Sequence, residues 1–124
     1  MKPADSILFV DDDESIREFV SMALMDEGYD VITASHGAAA LDLLRQKKPA
    51  LILLDMRMPV MDGWAFLKAY QQTPEPHVPV IALTASRNAP DAKVPPEVSD
   101  FLAKPFDLND LIDLVTRYMQ RSQV

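Results

Sequence analysis

Leu51-Ile52-Leu53-Leu54-Asp55-Met56-Arg57-Met58-Pro59-Val60-Met61-Asp62-Gly63 passes from four consecutive aliphatic residues to an aspartate, then to a loop marked by Pro59 and Gly63. Four aliphatics are too few for a helix and read as a strand buried on both faces of a parallel sheet. Asp55 stands where that strand should end. In open α/β sheets ligands bind in the crevice beyond the carboxyl ends of the strands, which places Asp55 for chemistry. Taken alone, a strand-end aspartate equally well caps its loop, so the other strand ends decide.

Upstream, Ser6-Ile7-Leu8-Phe9-Val10 is a second apolar strand and runs directly into Asp11-Asp12-Asp13-Glu14. Acids suit the start of a helix, where the macrodipole is positive. Ile16, Phe19, Val20, Ala23 and Leu24 then recur at helical spacing, and Gly28 falls where a left-handed cap is wanted. Tyr29–Ala34 is a further strand, and His36-Gly37 opens a helix with Leu41 and Leu44 as its apolar stripe. Lys47 and Lys48 favour the end of that helix, and Pro49 stops it.

Downstream, a helix starting near Asp62-Gly63 buries some of Trp64, Phe66, Leu67 and Tyr70, and the prolines around His77 make a loop. Val78–Leu83 is a strand ending at Thr84-Ala85. Pro90, Pro95 and Pro96 allow at most a turn or two of helix between Ser86 and Ser99. Asp100–Ala103 is a short fifth strand running into Lys104-Pro105-Phe106, after which Asp107 caps a last helix with Leu111, Leu114, Val115 and Tyr118 inward. Five strands alternating with helices mean a parallel sheet covered on both faces.

At 124 residues, without repeats or a linker, the chain reads as one domain over 1–124. The net charge of −7 argues against a nucleic-acid partner bound through a basic face and favours a cation or a positively charged protein. No cysteine is present, which excludes disulfides, thiolate metal sites and thiol catalysis. Neither a signal-peptide run after Met1 nor the roughly 18 apolar residues of a membrane span occurs, so a cytoplasmic location is expected.

The strand ends carry Asp11 and Asp12, Asp55, Thr84 and Lys104. If the strand order is 2-1-3-4-5, the first and third strands flank the topological switch point, and three carboxylates meet beside one hydroxyl and one ammonium. Three carboxylates cannot stay ionised together without a counter-charge. Mg²⁺, which takes a few carboxylates plus waters and phosphate oxygens, supplies one. Such a site suits phosphoryl transfer, where positioning and charge neutralisation do most of the catalysis, and a carboxylate is an established nucleophile.

Ile7–Asp13, Asp55–Gly63, Leu83-Thr84-Ala85 and Lys104-Pro105-Phe106, in that order, make the chain resemble a receiver domain of the bacterial response-regulator family. The run Asp-x-x-Met-Pro-x-Met-Asp-Gly is the most specific of the four pieces. The resemblance implies a flavodoxin-like (βα)5 doubly wound sheet, order 2-1-3-4-5. It further implies that Asp55 accepts a phosphoryl group from the phosphohistidine of a sensor histidine kinase or a histidine phosphotransfer protein. Asp11 and Asp12 would hold Mg²⁺, with Mn²⁺ an alternative, together with Asp55 and the backbone carbonyl of Arg57. Lys104 would pair with Asp55 and then the phosphate, usually before a cis bond to Pro105. Thr84 would swing onto the phosphoryl oxygen while Phe101 rotates inward, and the small Ala85 would leave the phosphate accessible. Such a domain is a switch with weak self-phosphorylating and dephosphorylating activity, not an enzyme.

Other readings weigh against these. Asp13 and Glu14 serve as helix-start acids, and Phe101 without the family match would be a core aromatic. Trp64 reads as helix-face packing, His36 and His77 as solvent-exposed, and the seven methionines as core or loop filler. Thr84 and Lys104 lie 20 residues apart with three prolines between them, so a short or distorted fourth helix is expected. That makes the usual family dimer doubtful and points to a monomer or weak dimer. Arg57 and Ser86 occupy the positions that tune phosphate loss in the family. The output would be a downstream protein target, with no direct nucleic-acid or membrane partner. A phosphorylation-independent binding module of the same fold is the alternative, and the intact Asp11, Asp12, Asp55, Thr84 and Lys104 speak against it.

Overall fold

The computed structural model describes residues 6–58, 61–74, 77–84, 98–103 and 106–122, without the side chains of 121 and 122. Their elements are β1 (Ser6–Val10), α1 (Glu14–Asp26), β2 (Asp30–Ala34), α2 (Gly37–Gln46), β3 (Leu51–Asp55), α3 (Gly63–Gln71), β4 (Val80–Thr84), β5 (Asp100–Ala103) and α4 (Leu108–Ser122). The strands form one sheet in the order β2-β1-β3-β4-β5, every pair parallel. The expected sheet and its order are thus present. The expected short or distorted fourth helix falls in residues 85–97, outside the described residues, as do Ala85, Ser86, Lys104 and the bond to Pro105.

The unbroken aliphatic runs make sense once both faces of the sheet are counted. Successive strand residues point to opposite faces. Ile7, Phe9, Leu51, Leu53, Ile81 and Leu83 pack under α1 and α4 with Val20, Leu24, Leu111 and Val115. Leu8, Val10, Ile52, Leu54, Val80 and Ala82 pack under α2 and α3 with Ala40, Phe66, Leu67 and Tyr70. No helix among the described residues is long and apolar enough to cross a membrane.

Each helix among the described residues begins at a side chain that accepts a backbone N–H. Asp13 accepts from Ile16 at 3.2 Å, His36 Nδ1 from Ala39 at 3.1 Å, and Asp62 from Ala65 at 2.9 Å. Asp107 likewise accepts from Asn109 at 2.8 Å ahead of α4. Gly28 ends α1 at φ 97°, in the left-handed region, with its N–H on Met25 O and that of Tyr29 on Leu24 O.

Several expectations need correcting. β2 starts at Asp30 because the Tyr29 amide is spent on the α1 cap. β4 starts at Val80 because the Val78 amide donates to the Tyr70 hydroxyl at 2.9 Å. Phe19, assigned to the α1 stripe, is exposed, as are Met22 and Met25. Phe19 sits about 100° around the helix from Val20, at the margin of the covered face. In α2 the buried positions are Gly37 and Ala40, while Leu41 and Leu44 are only partly covered. The histidines have structural work: His36 caps α2, and His77 places Nε2 2.9 Å from Thr73 O with its ring 4.7 Å from that of Tyr70.

Tyr70 also stacks on Phe66, with centroids 5.8 Å apart. Burial raises the pKa of Tyr70, and the N–H donated by Val78 offsets part of that rise. The folded chain therefore holds this proton more tightly than the unfolded chain does. Its stabilising contribution is complete below the usual tyrosine value of about 10 and is lost as pH rises through the folded-state pKa. Tyr70→Phe should cost about 1 kcal/mol at neutral pH, since Val78 N–H loses its acceptor. It should also make the alkaline fall in urea-denaturation stability shallower than in wild type, and an equally steep fall would contradict the assignment.

Candidate functional site

β1 and β3 are neighbours at the centre of the sheet, with Val10 in register with Leu54. The next residues, Asp11 and Asp55, therefore reach the carboxyl ends of their strands at the same level. Asp11, Asp12 and Asp55 each present an oxygen, and all three oxygens lie within 4.8 Å of one another. Asp11 and Asp55 are buried and Asp12 is exposed, so the cluster opens to solvent on one side.

Local backbone structure fixes both halves of the cluster. Asp11 N–H donates to Ala34 O at 3.1 Å, carrying the β1–β2 ladder one residue past the strand. Its Oδ1 accepts the Asp13 N–H at 2.9 Å, which turns the chain so that Asp13 can cap α1. From α1 the Arg17 guanidinium donates to the Asp11 carbonyl at 2.7 Å. On the other side Met56 N–H donates to Leu83 O at 3.2 Å, and Arg57 N–H donates to Asp55 Oδ1 at 3.1 Å. Gly63 N–H closes this loop on Met56 O at 3.1 Å. Buried carboxylates are costly without hydrogen bonds, and these amides supply them.

Asp55 is in register with Leu83, so Thr84, half-buried at the end of β4, lies one step beyond it. Thr84 pairs in turn with Ala103, which Lys104 follows in the chain. Lys104 itself lies outside the described residues. Phe101 is 52% exposed on β5 and so is not a core aromatic. Trp64 also departs from its expected packing role: it is half-exposed and lines a shallow cleft of about 490 Å³ with Met56, Arg57, Met58 and Asp62. Sequence reasoning missed Arg17, because nothing in a helix-surface arginine indicates that it reaches back six residues to a strand-end carbonyl.

An octahedral Mg²⁺ with ligands at about 2.0–2.1 Å holds its oxygens roughly 3–4 Å apart. A trio of carboxylate oxygens within 4.8 Å is close to that spacing, and its exposed side leaves room for waters or a phosphate. The donor set is all oxygen, as a hard cation requires. The arrangement can therefore hold a divalent cation beside a buried, strand-end carboxylate.

A parallel five-stranded sheet with an acidic trio at its topological switch point defines a receiver-type α/β domain. The profile described as "Response regulator receiver domain" matches residues 7–116, and the chain belongs to that family of two-component signalling domains. It is 37% identical over 123 residues to the transcriptional regulatory protein GlrR of Escherichia coli K12, covering 98% of this chain and 27% of that protein. It is 41% identical over 117 residues to the DNA-binding transcriptional regulator NtrC of the same strain, covering 92% of this chain and 24% of NtrC. The chain thus spans about a quarter of the length of these curated relatives. A CheY-like receiver domain protein of Methanospirillum hungatei superposes with a TM-score of 0.84 at 38% identity, covering 95% of this chain and 96% of that one. The receiver domain of the Francisella response regulator 1452 gives 0.86 at 30% identity, covering 95% and 98%.

The loop after Asp55 depends on Gly63. A Cβ there would stand 2.7 Å from Met56 Cα, a backbone atom that cannot swing aside. Gly63→Ala should cost about 1–3 kcal/mol in urea denaturation through this overpacking and disturb the amides that hold Asp55. A denaturation midpoint equal to wild type would show that the loop adapts at no cost.

Proposed function

We propose that Asp55 is the phosphoacceptor of a two-component phosphorelay, taking its phosphoryl group from a phosphohistidine on a histidine kinase or phosphotransfer protein. The observation that carries this reading is the buried Asp55 carboxylate within 4.8 Å of Asp11 and Asp12 oxygens, at the carboxyl edge of the sheet. A carboxylate oxygen of Asp55 forms the new O–P bond as the P–N bond of the donor breaks, and the leaving imidazole takes up a proton. Asp11, Asp12, Asp55 and the Arg57 carbonyl would hold Mg²⁺ or Mn²⁺, and the bound ion supplies charge neutralisation for the transferring group. Lys104 adds a second positive charge, and Thr84 donates its hydroxyl to a phosphoryl oxygen.

The protein acts in the cytoplasm as a switch and not as a turnover enzyme. Phosphorylation replaces the single negative charge of the carboxylate with about −1.5 to −2 on the phosphoryl oxygens, which draws Thr84 and Lys104 inward. Phe101, exposed on β5, follows by rotating inward. The altered β4–β5 face then regulates a downstream protein or the group passes to another histidine. The exposed side of α1, beside the acidic loop, is the surface offered to the kinase.

Intact mass after incubation with a small phosphodonor and Mg²⁺ tests the reading. Wild type should gain one phosphoryl group, while Asp55→Asn or added chelator should abolish the gain. No gain, under conditions that modify a control receiver, would favour the phosphorylation-independent module. Mg²⁺ alone should raise the melting temperature of wild type, and Asp12→Asn should remove most of that rise.

A further inference from the structure

Two surfaces lie outside the phosphoacceptor edge, and each has what the other lacks. On α1, Phe19, Met22 and Met25 are 61%, 64% and 51% exposed, at three-residue spacing. Single exposed apolar side chains are ordinary. Three large ones on one side of one helix make a patch, and no other helix among the described residues exposes more than one. Glu18, Asp26 and Glu27, all exposed, flank the ridge, and no base stands in the last turn of α1.

The second surface is a groove of about 580 Å³ between α2 and α3, floored by Leu41, Leu44, Tyr70 and Pro74 and rimmed by Lys48 and by Arg45, whose guanidinium also lies 3.3 Å from the exposed Asp42 carboxylate of its own helix. Its basic rim is unusual in a chain of net charge −7. The end of α2 favours cations electrostatically, which accounts for the charges but not for the half-covered leucines. An apolar groove between helices with a basic rim fits an amphipathic helix carrying apolar residues at helical spacing and acids beside them. The α1 ridge has that chemistry.

We propose that the α1 ridge of one molecule docks into the α2–α3 groove of a second copy. α1 packs on one face of the sheet and α2 with α3 on the other, so one molecule cannot join its own two surfaces. The contact is between different patches and propagates head to tail without closing as a twofold dimer. The rim pairs are exposed, so salt weakens the contact. Because the ridge is also the surface offered above to a kinase, association withdraws molecules from phosphotransfer; that consequence, unlike the contact, rests on the proposed function.

Sedimentation velocity of the full chain from about 10 μM to about 1 mM tests the contact. Wild type should sediment progressively faster with concentration, and less so in high salt. A ridge variant (Phe19→Ser with Met22→Ser) and a groove variant (Arg45→Glu with Lys48→Glu) should each weaken association at least about tenfold, with melting curves showing both folded. Mixed one to one, they should recover association, but only to pairs, since each retains one working surface. Asp55→Asn should associate as wild type does, separating this contact from the phosphoacceptor reading. A concentration-independent wild type, a groove variant that associates like wild type, or a mixture that stays monomeric would overturn the proposal.

Discussion

Mutual repulsion among Asp11, Asp12 and Asp55 is the constraint on which the other features of this domain turn. Like charges under 5 Å apart destabilise one another by amounts that grow as water is excluded. Here two of the three are buried. The fold allows no relaxation, because register between β1 and β3 puts Asp11 and Asp55 side by side. The central strands are anchored by side chains on both faces of the sheet, and separating the acids would mean breaking both cores. What relieves the strain must come from outside the carboxylates: amides of Asp13 and Arg57, cations, or a change in the charge of Asp55 itself.

The strands around the site are not held equally. β3 is buried at every position, whereas β5 is buried at none of its four. Local opening costs least where few apolar contacts are lost, so β5 is the less firmly buried side of the sheet next to Thr84. The edge strand is not loose, however. Tyr118 on α4 donates its hydroxyl to Ser99 O at 3.0 Å and lies 3.3 Å from Asp100 Oδ2, while Asp100 Oδ1 accepts the Phe101 N–H at 2.9 Å. These bonds tie the start of β5 to the last helix.

Much of this was legible in the sequence because the deciding signals are local. Four-residue aliphatic runs followed by acids mark doubly buried strands and their carboxyl ends, and Asp13, Asp62 and Gly28 sit at helix ends for reasons a few residues long. The trio could be assembled once the strand order was supposed. Less legible was anything that depends on which neighbour takes a given amide. Val78 and Tyr29 look like strand residues, yet their N–H groups go to Tyr70 and Leu24. Arg17 and Trp64 border the site only through the path of the backbone around it.

The remaining errors share one cause, and it bears on partners. Helical spacing identifies residues apolar enough to be buried, but a helix lying on a sheet covers only part of its circumference. In α1, Val20 and Leu24 fill that sector, and in α2 Gly37 and Ala40 do so. Phe19, given to the core by periodicity, falls at its margin and stays open to solvent, and Leu44, partly buried against the core, also lines the neighbouring groove. An apolar residue in excess of what the core can cover gains nothing from folding. Its burial remains available as a driving force for association. The positions where the pattern overstates the core are therefore the positions at which this domain has apolar area left to offer another molecule.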